Sequence, residues 1–275
     1  MGVPAMKAEA NGITINYVVD GPIDGSGDAP WVTFSTGITN DTTMWDDHVA
    51  GLTDRYRLLR YDSRGHGGSE ATPAPYTFDQ LTGDVLGLWD ALGIERSHLV
   101  GIGLGGMTAM TLALDHPERV SALAAAACRA ALTPEYQAIW PPMVETARGS
   151  GIEAIAERTA SRWFPDAFRA ANPETMNKVQ AMIRRTSLDG YLGCIAALLT
   201  LDLGGRIGDL AVPTLFVSGE LDFLGGPPAT MQELADTVAG AHHVTLPDAG
   251  HICNIANAPG FTRALGEFFD SVAGG

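Results

Sequence analysis

The stretch Val100-Gly101-Ile102-Gly103-Leu104-Gly105-Gly106-Met107 decides how this chain folds. It follows a short apolar run, His98 to Ile102, and opens a helical pattern that reaches His116. Two motifs compete for it. Gly101, Gly103 and Gly106 satisfy G-x-G-x-x-G, whose small residues let a pyrophosphate approach a helix N-terminus. That fingerprint belongs to a first βαβ unit whose second strand ends in an acidic residue. Here several strand patterns come first and the next one ends at Cys128-Arg129, where an arginine would suit only a 2′-phosphate. The second motif is a nucleophile elbow, G-x-S-x-G, whose central residue projects from a strained strand-to-helix turn. Gly101 and Gly105 keep the flanks that let strand and helix cross closely. Gly103 stands at the centre, where the attacking atom would be.

Outward from the elbow, short apolar runs alternate with helical periodicity, as in a mostly parallel sheet with crossover helices. Strands are expected at Ile13 to Val19, Trp31 to Thr36, Tyr56 to Tyr61, His98 to Ile102 and Val120 to Ala127. Thr77 to Leu92 has one apolar face, and Thr77 with Gln80 makes a capping box. From Leu132 the strands stop. Helices are expected at Pro134 to Arg148, Ile152 to Trp163, Glu174 to Arg185 and Asp189 to Leu201. The α/β rhythm resumes at Val212 to Ser218 and His243 to Leu246, and a last helix covers Phe261 to Val272. The expected organisation is a core over 1–131 and 204–275 interrupted by a helical cap over 132–203, above the strand ends where ligands bind in such folds. Gly21 to Pro30 reads as a polar surface turn.

The other parts of an elbow site follow in chain order. Asp222 comes after the strand Val212 to Ser218, where a carboxylate can orient an imidazole, and His251 comes after His243 to Leu246 in Gly250-His251. Such an Asp fixes the tautomer and leaves the second ring nitrogen as a base near neutral pH. The plainer readings are a helix-capping Asp222 and a packed surface His251. Trp31 to Thr36 runs into Gly37-Ile38-Thr39, which assigns an oxyanion hole to the N–H groups of Ile38 and Leu104. Asp62-Ser63-Arg64-Gly65-His66-Gly67 reads first as a structural turn, with His66 a candidate for the pocket. Thr36, Gly37, Cys128, Arg129, Trp140 and Trp163 complete the candidate pocket. Nothing near Cys128 would lower its pKa, so it reads as a small apolar residue, and Trp140, Met143 and Trp163 read as cap packing. His242-His243 is too short a cluster for a metal site.

Composition narrows the function. There are 17 Lys and Arg against 32 Asp and Glu, a net charge of −15, which disfavours nucleic acid and anionic membrane as partners. Three scattered cysteines fit a reducing compartment, and Met1 to Ala10 lacks a basic, apolar leader. A cytoplasmic protein with a small-molecule substrate is expected, and a homo-oligomer is compatible with it. The 33 glycines exceed the usual share of about 7% and point to turns and close backbone approaches.

Together these residues resemble the α/β-hydrolase family, and more closely its 3-oxoadipate enol-lactonase branch. The resemblance rests on Asn11-Gly12-Ile13, Arg60-Tyr61-Asp62-Ser63-Arg64-Gly65-His66-Gly67, the elbow with Gly105-Gly106-Met107, Arg162-Trp163-Phe164, Gly190-Tyr191-Leu192-Gly193-Cys194 and Gly250-His251. It implies an α/β-hydrolase fold with a mostly parallel central sheet, flanking helices and a helical cap insertion. It also implies a cofactor-free enzyme acting on a lactone or ester through Ser, His and Asp. The roles carry over to Asp222, His251, Ile38 and Leu104. They fail at Gly103, and Thr36 stands where many members have His. A carboxylate-bearing substrate would call for a pocket arginine, with Arg129, Arg162, Arg184 and Arg185 as candidates.

A glycine at the elbow has three readings. One is an enzyme that keeps the His251/Asp222 base and backbone oxyanion hole, and activates water or abstracts a proton, as a lyase or ring-opening enzyme, without an acyl-enzyme. Another is a lactonase or esterase inactivated by Ser-to-Gly replacement. The third is a non-catalytic ligand-binding member of the fold.

Overall fold

The computed structural model describes residues 4–22 and 29–273, so part of the expected Gly21 to Pro30 turn lies outside the described residues. The chain runs through β1 (Met6–Ala10), β2 (Ile13–Asp20), β3 (Trp31–Ser35), α1 (Asp46–Leu52), β4 (Arg57–Tyr61), α2 (Phe78–Ala91), β5 (Ser97–Ile102), α3 (Leu104–Asp115) and β6 (Val120–Ala126). Six helices follow: α4 (Pro134–Gln137), α5 (Trp140–Ser150), α6 (Glu153–Trp163), α7 (Asp166–Ala171), α8 (Pro173–Arg184) and α9 (Leu188–Leu198). The sheet resumes with β7 (Thr214–Gly219), α10 (Pro228–Thr237) and β8 (His242–Leu246), and the chain ends in α11 (Cys253–Ala256) and α12 (Ala258–Ala273).

The strands form one eight-stranded sheet in the order β1-β2-β4-β3-β5-β6-β7-β8. β2 is antiparallel to β1 and to β4, and every later pairing is parallel. Both faces are covered, which is why the central strands read as unbroken apolar runs. Along β5, Leu99 packs into the layer of α2, α3 and α10 with Val85, Trp89, Met107 and Met231. Its neighbour Val100 packs into the opposite layer with Trp45, Phe261 and Phe269. α2 starts as its sequence dictates: Thr77 Oγ1 accepts from the Gln80 N–H at 3.2 Å, and Gln80 Oε1 accepts from the Thr77 N–H at 3.1 Å.

The strand order places the site. From β3 the chain goes to β4 on one side and then returns to β5 on the other, so the topological switch lies between β3 and β5. Gly37 and Gly103 follow the carboxyl ends of those two strands. The crossing there is tight: a Cβ on Gly105 would lie 2.3 Å from the Ser35 carbonyl oxygen, and one on Gly101 would lie 2.3 Å from the Gly105 oxygen. Only hydrogen fits at either position.

Several elements depart from expectation. β1 was not anticipated: Met6, Ala8 and Ala10 alternate with Lys7 and Glu9, but the apolar face is mostly alanine and buries little at the sheet edge, with Ala10 buried and Ala8 half-buried. The helix expected from Pro134 to Arg148 is two, since Pro141 and Pro142 lack the N–H groups needed to continue one ladder and instead open α5. α7 is a six-residue turn of helix after Pro165, too short to show a period, and α10 follows Pro227.

Two buried histidines make stability pH-dependent. His98 stacks on Phe269 at 4.6 Å between ring centroids, and His48 lies among Trp45, Phe261 and Thr262. Burial pulls both down to about 4. Their folded values lie below the unfolded value of about 6.5, so the stability present above that pH is lost as pH falls toward 4. The thermal midpoint is therefore expected to drop between about pH 6.5 and 4, with a shallower slope in His98→Phe. An unchanged slope would contradict this. The crossing makes a second prediction: Gly105→Ala, which gains about 1 kcal/mol in an ordinary helix, should here lose about 2 kcal/mol or more in urea unfolding, and a stabilised variant would contradict the packing.

Candidate active site

Gly103 sits between β5 and α3 with φ 57° and ψ −122°, outside the regions open to most side chains. The turn is held on both sides: its N–H donates to Ala126 O at 3.0 Å and its carbonyl accepts from the Met107 N–H at 3.0 Å. A Cβ built on it would lie 3.7 Å from His251 Nε2 and 3.9 Å from Gly37 Cα, both ordinary contact distances. A side chain at this position would therefore start directly against the imidazole.

His251 Nδ1 lies 3.1 Å from Asp222 Oδ2. Asp222 is held in turn by the N–H groups of Leu224, at 2.7 Å to Oδ1, and Gly226, at 3.0 Å to Oδ2. Burial alone would raise the Asp222 carboxyl. The His251 ring and the two amides outweigh it and hold the group below the usual carboxylate range. Gly225 and Gly226 let this loop press against His251 and the exit of β6, since a Cβ on Gly225 would lie 2.2 Å from His251 Cε1 and one on Gly226 would lie 2.4 Å from the Cys128 nitrogen.

Two amides border the same space. Leu104 is the first residue of α3, so its N–H has no acceptor within the helix. Asn40 N–H closes on Gly37 O at 3.2 Å, a turn that leaves the Ile38 N–H out of its hydrogen bond. Thr39 takes φ 62° in that turn and donates its hydroxyl to Ile38 O at 2.6 Å.

Gly37, Ile38, Gly103, Leu104 and His251 line one cavity of about 70 Å³, closed from above by Tyr136, Ile139, Trp140 and Met143, by Thr159, Arg162 and Trp163 of α6, and by Tyr191 and Leu198 of α9. Trp140 and Trp163, candidates for the pocket that also read as cap packing, line the cavity. Four candidates lie elsewhere. Thr36 Oγ1 faces Ser63 Oγ at 3.1 Å and borders a separate small cavity with Tyr61 and Asp84. His66 is buried with Nδ1 at 3.0 Å from Arg64 O, inside the loop that Asp62 organises by accepting from the Thr42 and Gly68 N–H groups. Cys128 faces Gly106, and burial pushes its thiol up. Arg129 turns away to donate to Leu224 O at 2.9 Å.

The sequence reading passed over Asn40, Tyr136, Thr159, Tyr191 and Leu224. Thr159 was findable, because it lies three residues before Arg162 on the same face of a helix. Tyr191 lay inside Gly190-Tyr191-Leu192-Gly193 without any spacing to single it out. Among the described residues Arg162 has no ion pair, whereas Arg184 pairs with Glu153 and Arg185 with Asp41.

The family model for the alpha/beta hydrolase fold matches residues 30–258. The chain is 32% identical over 258 residues to 3-oxoadipate enol-lactonase 2 of Acinetobacter baylyi, covering 93% of each chain. It resembles the crystal structure of the enol-lactonase from Burkholderia xenovorans LB400 with a TM-score of 0.91 and 38% identity, covering 96% of this chain and all of that one. A thermophilic esterase from Thermogutta terrifontis, solved with malate bound, gives a TM-score of 0.89 at 26% identity and covers 98% of this chain and 99% of its own. With the sheet order, the glycine crossing and the post-strand Asp222 and His251, these matches place the chain in the α/β-hydrolase family, as an enzyme related to the enol-lactonases.

Proposed function

We propose that this protein is a cofactor-independent enzyme that cleaves a small lactone or ester bearing a carboxylate, with His251 activating a water molecule in place of a serine. The observation that carries the proposal is the 3.7 Å between His251 Nε2 and the point where a Gly103 side chain would begin. In a covalent hydrolase that space belongs to the attacking oxygen, and without a hydroxymethyl group it suits a water bonded to Nε2. Asp222 holds the proton on Nδ1, which leaves Nε2 as the acceptor. Attack on the carbonyl places negative charge on its oxygen, toward the Ile38 and Leu104 N–H groups, and His251 then returns the proton to the leaving oxygen.

Magnitudes favour a working base over a relic. Removing only the nucleophile of a covalent triad can cost about 10⁶ in turnover, leaving roughly 10³ to 10⁴ over water. A water held against an oriented base recovers part of that loss, because general-base catalysis supplies about 10² to 10⁴.

Support for an anionic substrate comes from the cap side. Arg162 lines the cavity, and Tyr191 OH, Thr159 Oγ1 and Trp140 Nε1 are buried without partners among the described residues. Unpartnered buried donors are costly unless a ligand satisfies them. Three donors around a guanidinium suit a carboxylate, the group that the Thermogutta esterase's bound malate carries twice.

Two experiments test this reading on a panel of lactones and short esters with and without a carboxylate. His251→Ala should lower kcat by about 100-fold or more, and unchanged turnover would remove the base. Arg162→Ala should raise KM about tenfold or more for carboxylate-bearing substrates alone, and an equal effect on neutral ones would remove the anion subsite. If the protein is inert on the whole panel while Gly103→Ser shows burst hydrolysis, the chain is a hydrolase lacking its nucleophile. If neither protein turns over any compound that it binds tightly, the non-catalytic reading replaces this one.

A further inference from the structure

Arg129 is an unusual place for a guanidinium. It is half-buried just past β6 and forms no ion pair among the described residues. It donates from Nη2 to Leu224 O at 2.9 Å, and its Nε is buried without a partner among the described residues. Its guanidinium carbon lies 4.8 Å from the centre of the Tyr136 ring. A cation held by one carbonyl and one aromatic face links the two elements that carry them.

Those elements are the two sides of the site. Leu224 belongs to the loop that grips Asp222: its N–H donates to Asp222 Oδ1 at 2.7 Å while its carbonyl accepts from Arg129. Tyr136 lies at the start of the inserted helices, lines the cavity, and meets Trp140 edge-on at 5.9 Å. Arg129 also stands at the root of those helices, where Leu203 N–H donates to Ala130 O at 2.7 Å and Ala131 bridges to Asp202. A displacement of Tyr136 by a ligand therefore has a short path, through one guanidinium, to Leu224, whose N–H holds the Asp222 carboxylate.

We infer that Arg129 is a positioning residue that couples the cap wall at Tyr136 to the Asp222–His251 pair by clamping the Leu224 carbonyl. This deepens the proposed function and rests on its reading of Asp222 and His251 as a pair. The guanidinium touches no substrate. It fixes the acid loop, and through that loop the ring orientation of His251. Lysine can replace the hydrogen bond to Leu224 O but not the planar contact with Tyr136, so the two halves of the clamp are separable.

Nitrogen-15 NMR of the full-length protein reads the coupling without a substrate. The His251 signals are assigned with His251→Asn, and the downfield Nδ1–H resonance and the ring titration are followed in wild type, Arg129→Met, Arg129→Lys and Tyr136→Leu. The expected result is loss or a clear shift of the Nδ1–H signal and an apparent His251 pKa displaced by about half a unit or more in Arg129→Met and Tyr136→Leu, with Arg129→Lys between them and wild type. The buried His98 signals should stay in place, which separates this effect from general loosening. Should Arg129→Met fail to fold, Arg129→Lys and Tyr136→Leu still decide. Wild-type His251 signals in the folded variants would overturn the inference even if they melt earlier. Failure of the base reading shows differently, as unchanged turnover in His251→Ala with the NMR coupling intact.

Discussion

The crossing of α3 over β5 and β3 is the constraint from which the rest of the site follows. With no Cβ at Gly101 or Gly105, the helix starts close against the backbone of Ser35 and β5. At that crossing Gly103 takes φ 57°, Leu104 opens α3, and the Gly37 turn comes within contact of the elbow. A β-branched or even an alanine side chain at the crossing would separate helix and sheet, and with them the two amides that border the site. The same economy of side chains recurs at Gly225 and Gly226, which let the acid loop reach His251. Part of the glycine in the composition thus sits where backbones meet around one cavity.

Much of this was legible in the sequence, for identifiable reasons. The central strands are buried on both faces, so they appear as continuous apolar runs, and the elbow and Asp222 each follow such a run, while His251 follows the edge strand β8, whose signal is the short Val244 to Leu246. The edge strand β1 was faint because its alternating face is mostly alanine and buries little. The split of α4 from α5 was written in Pro141-Pro142 but outweighed by the helical periodicity around it. Side-chain direction was the least accessible. Arg129 and His66 each follow a strand of the sheet, β6 and β4, yet one turns to the Leu224 carbonyl and the other to the Arg64 carbonyl. Tyr191 gained meaning only once α9 brought its hydroxyl to the same cavity as Thr159 and Arg162 of α6.

The site is asymmetric in its chemistry. Its floor, built from strand ends and the start of α3, holds the His251–Asp222 pair beside the backbone of Gly37, Ile38 and Leu104. Its roof, built from α5, α6 and α9, holds Arg162, which has no ion pair among the described residues, three polar atoms without partners among those residues, and aromatic walls. A bipartite substrate fits such a division, with the reacting carbonyl below and an anionic end above, and the net charge of −15 makes the local cation the more selective.

The central claim is that water, held by His251 beside Gly103, attacks the substrate carbonyl directly. Single turnover in oxygen-18 water tests it on the carboxylate-bearing lactones and esters of the panel, with the product analysed by mass spectrometry. The predicted result is one oxygen-18 atom in the newly formed carboxyl group after a single turnover, with no covalent adduct on the protein. An unlabelled product, as proton abstraction without water attack would give, or a covalent acyl adduct, would contradict it.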